Sequence, residues 1–245
     1  MRLRLVTWNL KGSGGVDVGA VAGHLRATEA DVVVLQEVQR RQARHLARAV
    51  GAASHRWVFK HLPIGTWPEG MAILGVTAPV AVRSHALTYR WRPWSWRRRV
   101  ALVGTRAAGG ATVIDLHLSP HDAGDLRHGE IDQVLATVAA CPGPVVVAGD
   151  LNEGPDGPIH ARLAAAGLHD AWAAAGGEGD GHTNWHAWRP GKAGPPTQRI
   201  DFVYVSGDVT VLGITVPQPD DPDFDPFRRL SDHLPVTATL ELSGR

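Results

Sequence analysis

Carboxylates, amides and imidazoles recur in this 245-residue chain where apolar runs stop. Trp8-Asn9 closes the run that starts at Arg2, Gln36-Glu37 follows Val32-Val33-Val34-Leu35, and Asp150-Leu151-Asn152 follows Val145-Val146-Val147-Ala148. His117 lies in Asp115-Leu116-His117-Leu118, Asp201 in Arg199-Ile200-Asp201-Phe202, and Asp232-His233 just before Leu234-Pro235-Val236. Asp and Glu are hard oxygen ligands of the kind that Mg²⁺ takes beside waters and substrate phosphate. Histidine gives or takes a proton near neutral pH. A carboxylate beside it favours the charged ring. Together these are the parts for metal-assisted attack of water on phosphorus. Each residue alone also has an ordinary reading: Glu37 as a solvated loop residue, Asp150-Leu151-Asn152 as a turn or helix cap, His233 as a packed histidine. Their recurrence in order favours chemistry.

Strand-like and helix-like runs must position them. Arg2 to Asn9 reads as a strand, and Val18, Val21, Ala22 and Leu25 fall at helical spacing. Val32 to Leu35 and Val145 to Ala148 are continuous β-branched runs of buried-strand type. Val38 to Val50 reads as a helix with Arg40, Arg41, Arg44 and Arg48 outside, and Asp125 to Ala139 as another. Strands are expected at Met71 to Leu74, Ala86 to Arg90, Val100 to Thr105, Thr112 to Leu118, Arg199 to Val205 and Val236 to Leu242, with a turn at Gly109-Gly110. A helix with Pro158 near its start and Gly167 past its end follows Asn152. No linker separates two complete patterns, so one domain over residues 1–245 is expected. Many hairpins among helices point to packed sheets flanked by helices.

Composition sets the outer limits. Apolar residues make up 44% and charged residues 20%, which excludes wholly disordered, collagenous or coiled-coil chains. The single cysteine, Cys141, excludes an internal disulfide framework and a thiol-based zinc cage. No segment approaches the ~18 apolar residues of a membrane span, and Met1 to Val6 reads as a strand rather than a leader. A cytoplasmic protein without a transmembrane segment is expected. Net charge is +1, but it is uneven: Gly70 to Ile114 holds no Asp or Glu and carries Arg83, Arg90, Arg92, Arg97, Arg98, Arg99 and Arg106. Lysine occurs only at Lys11, Lys60 and Lys192.

The ordered set from Thr7-Trp8-Asn9-Leu10 through Leu35-Gln36-Glu37, Gly70-Met71-Ala72-Ile73-Leu74, Asp115-Leu116-His117-Leu118, Gly149-Asp150-Leu151-Asn152 and Arg199-Ile200-Asp201-Phe202 to Ser231-Asp232-His233-Leu234-Pro235-Val236 resembles the endonuclease/exonuclease/phosphatase superfamily. The resemblance spans residues 7 to 236; Gly-Asp-Leu-Asn and Ser-Asp-His-x-Pro-Val are its specific motifs. It implies an α/β (α+β) fold, a four-layer sandwich of two mostly antiparallel β-sheets flanked by helices. It also implies a Mg²⁺ site, with Mn²⁺ able to substitute, held by Glu37 with Asn9 nearby and Asp232 as a further metal-site carboxylate. Asp150 matches the residue that orients or deprotonates the attacking water, and Asn152 a phosphate-binding amide. His233, held by Asp201, matches the histidine that stabilises phosphoryl charge or handles a proton. His117 favours the pancreatic deoxyribonuclease-like branch over the apurinic-site endonuclease branch. That branch pairs it with a glutamate, so a Glu69–His117 hydrogen bond is expected.

Arg99 resembles a phosphate-proximal arginine, with Arg97 and Arg98 leaving the register open. Trp67 stands where some nucleases place a tyrosine, and Trp185 fits a pattern at the site rim. Trp91-Arg92-Pro93-Trp94-Ser95-Trp96-Arg97 interleaves aromatic and basic residues, which suits a nucleic-acid strand as well as a lipid interface or a partly packed strand. The expected activity is phosphodiester hydrolysis by a nuclease, acting as a monomer on nucleic acid without a stable protein partner. The alternatives are a phosphatase or phospholipase-type hydrolase on a lipid, inositol phosphate or nucleotide, and a catalytically silent binding module.

Overall fold

A computed structural model describes residues 1–62, 67–92, 95–106, 110–120, 123–177, 179–185 and 194–243, with backbone alone for 89–92, 95–97 and 106. Two six-stranded sheets carry the architecture. The first contains β1 (Arg2–Asn9), β2 (Val32–Gln39), β3 (Ser54–His61), β4 (Glu69–Gly75), β11 (Val209–Thr215) and β12 (Val236–Leu242), in the order β11-β12-β1-β2-β4-β3. The second contains β5 (Val80–Arg92), β6 (Ser95–Arg106), β7 (Thr112–His117), β8 (Val145–Asp150), β9 (Leu168–Asp170) and β10 (Asp201–Ser206), in the order β5-β6-β7-β8-β10-β9. Among the described residues the sheets meet edge to edge only where His61 pairs with Arg97.

Both sheets repeat one pairing scheme. The central pair is parallel, β1 with β2 and β7 with β8, and every other pair is antiparallel. Parallel neighbours need a crossover, normally a helix. Here α1 (Val18–Ala27) joins β1 to β2, and α3 (Gly124–Ala139) joins β7 to β8. The likeness of Val32–Glu37 to Val145–Asp150 thus has a structural counterpart: each is the second strand of its sheet's parallel pair.

Side chains alternate along a strand with period two. In the second sheet Val103, Ile114, Leu116, Val147, Phe202 and Tyr204 pack outward against Ile131 and Val134 of α3 and Leu163 of α4 (Pro158–Ala165). Val146, Ala148, Val203 and Val205 face the first sheet. Each fully buried aliphatic side chain contributes roughly 1.5–3 kcal/mol, so this interdigitation clamps the layers together. The same alternation carries Asp115, His117, Asp150 and Asp201 onto the inner face. Val21 and Leu25 of α1, with Leu46 of α2 (Arg40–Ala49), are buried on the far side of the first sheet, which completes four layers.

Two departures from the sequence pattern matter. Helix α2 begins at Arg40 rather than Val38, because β2 continues through a bulge: Leu35 pairs with Ala72 and Val38 with Gly70, leaving Gln36 and Glu37 opposite Met71. Two expected short strands are parts of the long β5–β6 hairpin. Pro93 and Trp94 of its Trp/Arg stretch, and Gly109 of the expected turn, lie outside the described residues.

Gly149 has φ 137, and a Cβ there would sit 2.0 Å from the Leu116 carbonyl oxygen. Only glycine lets β8 lie this close to β7. Gly149→Ala should therefore destabilise the fold by on the order of 1–3 kcal/mol or more. A melting temperature equal to that of the parent protein would show that this backbone is not so constrained.

Candidate active site

The inner-face residues converge at one edge of the sandwich, with Asp150 at the centre. Its Oδ2 accepts from Asn9 Nδ2 at 3.0 Å, across the gap between the sheets, and its Oδ1 accepts from the Asn152 backbone N–H at 2.9 Å. His117 Nε2 lies 3.6 Å and His233 Nε2 3.9 Å from the same Oδ2. Burial raises the proton affinity of Asp150, and Asp201 adds to it, against His233 and the donors. Glu37 enters from the bulge with φ 49, and Asn152 is held at φ 52. Bulges re-aim side chains, and strained backbone of this kind clusters at functional sites.

His233 is part of a buried dyad. Its Nδ1 donates to Asp201 Oδ2 at 2.8 Å, and Thr183 Oγ1 donates to the same oxygen at 2.6 Å. Thr183 Oγ1 also accepts from the Asp201 backbone N–H. Burial opposes a charge on His233, but Asp201, its hydrogen bond, Asp150 and Asp232 outweigh burial and push the pKa up to about 10. The carboxylates around the ring therefore favour its imidazolium form. Its backbone is pinned from both sides: Trp8 Nε1 donates to the His233 carbonyl, while Ser231 Oγ accepts from His233 N and donates to the Asn9 carbonyl.

On the other flank, buried Lys60 of β3 contacts Glu37 Oε1 at 3.2 Å and His117 Nδ1 at 2.9 Å. Burial pulls the Lys60 pKa down to about 8, partly offset by Glu37. Burial would raise the Glu37 pKa, but Lys60, His233 and Arg99 hold it below the usual carboxylate range. Burial, then Lys60 and Arg99, hold His117 well below an ordinary histidine. One layer beneath, Gln36 Nε2 donates to Thr7 Oγ1 and Asp115 Oδ1, and burial keeps the Asp115 carboxyl well above its usual range.

The family profile described as Endonuclease/Exonuclease/phosphatase matches residues 6–233, from β1 to His233. The chain belongs to that family. Sequence comparison with curated proteins returns no match. Solved structures share the DNase I-like fold. An endonuclease/exonuclease/phosphatase from Beutenbergia cavernae DSM 12333 is 24% identical with TM-score 0.75, covering 99% of this chain and 72% of that one. D. rerio TDP2 complexed with single strand DNA product is 20% identical with TM-score 0.71, over 98% and 99% of the two chains. The Bacteroides thetaiotaomicron VPI-5482 mannosyl-6-phosphatase Bt3783 is 17% identical with TM-score 0.74, over 98% and 100%. Family members hydrolyse phosphoester bonds, generally with divalent metal ions. No helix among the described residues is long and apolar enough to cross a membrane.

The geometry brings together Asn9, Glu37, His117, Asp150, Asn152, Asp201 and His233. Arg99 turns inward, with Nη1 3.5 Å from the His117 carbonyl; Arg98 turns back onto Phe59, and the side chain of Arg97 lies outside the described residues. Other expected positions differ. Glu69 does not pair with His117: its carboxylate accepts from the Ser13 backbone N–H at 2.7 Å and faces His61 at 3.7 Å, because Lys60 occupies the flank of His117. Asp232 pairs with Lys11 Nζ. Trp185 is only 4% exposed, tilted against Phe224 with its Nε1 donating to Gly194, so it is core and offers no face for stacking. Trp67 is 63% exposed with the Arg41 guanidinium over its ring. Sequence reasoning missed Lys60 and Lys11 as site residues. Their rarity in an arginine-dominated chain was the available signal.

The dyad sets a pH dependence. A group whose pKa is higher folded than unfolded stabilises fully below its unfolded value and loses that contribution as pH rises through the folded value. His233 moves from 6.5 to about 10, so its contribution fades between those values. Unfolding free energies of the parent protein and His233→Asn should therefore converge from pH 7 to pH 10. A difference that does not change with pH would show that the ring is uncharged.

Proposed function

We propose that this protein is a divalent-metal-dependent phosphodiesterase acting on nucleic acid. The observation that carries the reading is a buried carboxylate, Asp150, with the imidazoles of His117 and His233 3.6 and 3.9 Å from its Oδ2 and Glu37 alongside. Asp150, with raised proton affinity, orients the attacking water and takes its proton. The His233 imidazolium neutralises charge developing on the phosphoryl oxygens, in a site where water is largely excluded. Asn152 and Arg99 add donors for the phosphate.

The donor set fits a hard divalent cation. Glu37 is the more accessible carboxylate, with a side chain 26% exposed, and it would hold the ion together with oxygens of Asn9 and Asp150, an oxygen-only set. Asp150, Asp201 and His233 also place ligand atoms within 4.8 Å of one another. There, however, Nδ1 of His233 donates to Asp201 Oδ2 at 2.8 Å, so that cluster is better read as a dyad beside a carboxylate. When bound, the ion supplies Lewis-acid polarisation of phosphoryl oxygen and a more acidic water.

Nucleic acid is favoured by what lies beside the site. Helix α2 starts three residues after Glu37 and contains no acidic residue. Arg40, Arg44 and Arg48 recur at i, i+4 and i+8, about 6 Å apart along one exposed stripe. None of them is in an ion pair among the described residues. Trp67 under Arg41 adds an exposed aromatic face of the kind that stacks on bases. The DNA product in the TDP2 structure is consistent with this choice.

Plasmid DNA, single-stranded DNA, RNA, bis-p-nitrophenyl phosphate and p-nitrophenyl phosphate, each with Mg²⁺, Mn²⁺ or EDTA, test the reading. Diester cleavage that EDTA abolishes is expected, and Asp150→Asn or His233→Ala should each lower kcat by roughly 10²–10⁴-fold. Cleavage of the monoester alone would make the protein a phosphatase, and turnover in EDTA would remove the metal. Combined Arg40→Gln, Arg44→Gln and Arg48→Gln should weaken binding of a 20-nucleotide strand and flatten its log–log salt slope by up to about 2. An unchanged slope would take the helix out of the binding surface.

A further inference from the structure

We infer that Arg127 is a positioning residue for Asn152. From the start of α3 it ties the turn after β7 to the turn after β8, and so fixes where the Asn152 amide points. What that amide does for a phosphate rests on the phosphodiesterase reading; how it is held does not.

The sheet alone does not hold Asn152. The β7–β8 ladder runs out at Leu118, whose N–H donates to the Asp150 carbonyl. Past that bond Asn152 takes φ 52, a conformation that a non-glycine residue keeps only when its surroundings impose it. Its Nδ2 donates to the Leu118 carbonyl at 3.0 Å. An amide nitrogen carries two hydrogens, so one aims the group and the other remains for a ligand. Both ends of this contact are anchored by one guanidinium. Arg127 Nε and Nη2 lie 3.2 and 3.1 Å from Oε2 of Glu153, the residue after Asn152. Arg127 Nη1 donates to the carbonyls of Ser119 and Pro120, which follow Leu118. Glu130, one turn further along α3, completes the grip: its carboxylate accepts from the Ser119 N–H and hydroxyl at 2.8 and 2.7 Å.

Arg127 and Glu130 are both buried, on the face of α3 that carries Ile131 and Val134, where a packed helix normally presents apolar side chains. A buried ion pair is often no more stabilising than apolar side chains of the same size. What the guanidinium adds is direction: its donors leave at fixed angles and hold a carboxylate and two carbonyls at once. The turn after β8 is shaped around this pair, since a Cβ on Gly157 would sit 2.2 Å from Glu153 Cγ. Arg127 thus acts through Glu153 and the Leu118 carbonyl, without touching the reacting atoms.

The chain has three asparagines, Asn9, Asn152 and Asn184. The test is therefore the side-chain amide spectrum of protein labelled with nitrogen-15 asparagine, with the Asn152 signals assigned by their loss in Asn152→Ala. Removing one charge of a buried pair strands the other, so the variant is Arg127→Met combined with Glu153→Met. In it the Asn152 signals should shift, while those of Asn184, which donates to the Asp232 carbonyl on the far flank, should stay. On bis-p-nitrophenyl phosphate with Mg²⁺, kcat should fall on the order of 10–100-fold. The same two substitutions made in Asn152→Ala should lower kcat little further, whereas a merely structural loss would add in full. Arg127→Lys, which keeps the charge but not the fork, should shift the Asn152 signals and lower kcat by less. Unmoved Asn152 signals in the folded double variant overturn the proposal, as do equal movement of Asn184 or full additivity in Asn152→Ala. If the double variant does not fold, Arg127→Lys decides by the same signals. Absence of turnover on every substrate would remove the phosphodiesterase reading, while the amide spectrum would still decide the role of Arg127.

Discussion

A buried carboxylate at the seam between two sheets is the constraint on which this site depends. Asp150 ends β8 on the inner face, where an unpaired charge costs several kcal/mol. Its compensation comes from both halves of the sandwich: Asn9 from β1 of the first sheet, Asn152 from the turn after β8, and the His233 charge from the segment before β12. The site therefore exists only when residues more than 140 positions apart in the chain are docked. Assembly of the sheets and assembly of the chemistry are one event.

Equal pairing schemes explain why the carboxylates meet. Each sheet places a parallel pair at its centre, and a helix on the outside returns the chain so that both strands of the pair end on the same edge. Stacking the two pairs brings β1, β2, β7 and β8 to that edge together. Strand alternation then decides which residues look inward. Glu37 follows the inward-facing Gln36, and period two would turn it away from the gap. The bulge and its φ of 49 bring it back. Left-handed backbone also occurs at Asn152, and a glycine-only conformation at Gly149. Local strain is spent where side chains must be aimed, and the sandwich core outweighs it.

Charge follows the same economy of position. A net charge of +1 conceals a group of buried carboxylates, Asp115, Asp150 and Asp201, on the inner face of the second sheet, and an exposed stripe of arginines on α2. The two described lysines, Lys11 and Lys60, are both at the site, one facing Asp232 and the other Glu37. Arg98 and Arg99 are turned toward the protein, and Arg40, Arg44 and Arg48 of α2 form an exposed basic stripe that starts three residues after Glu37.

Most of the architecture was legible in the sequence, because buried strands and amphipathic helices write their periods into it. The positions and spans of β1, β8, β12 and α3 follow directly from those periods, and the ordered carboxylates and histidines mark the strand ends that form the site. The resemblance to the family also implies Asp201 and His233 as a pair, and the structure joins them at 2.8 Å. Contacts across the sandwich are different. No local pattern states that Lys60 lies against His117, that Glu69 turns to Ser13, that Trp185 is swallowed by the core, or that Arg99 reaches the His117 carbonyl. Those outcomes depend on which strands stack and with what register, and on a bulge that reverses one side chain. A sequence specifies its periodicities residue by residue; the distances between residues far apart in the chain arise only when the two sheets close on each other.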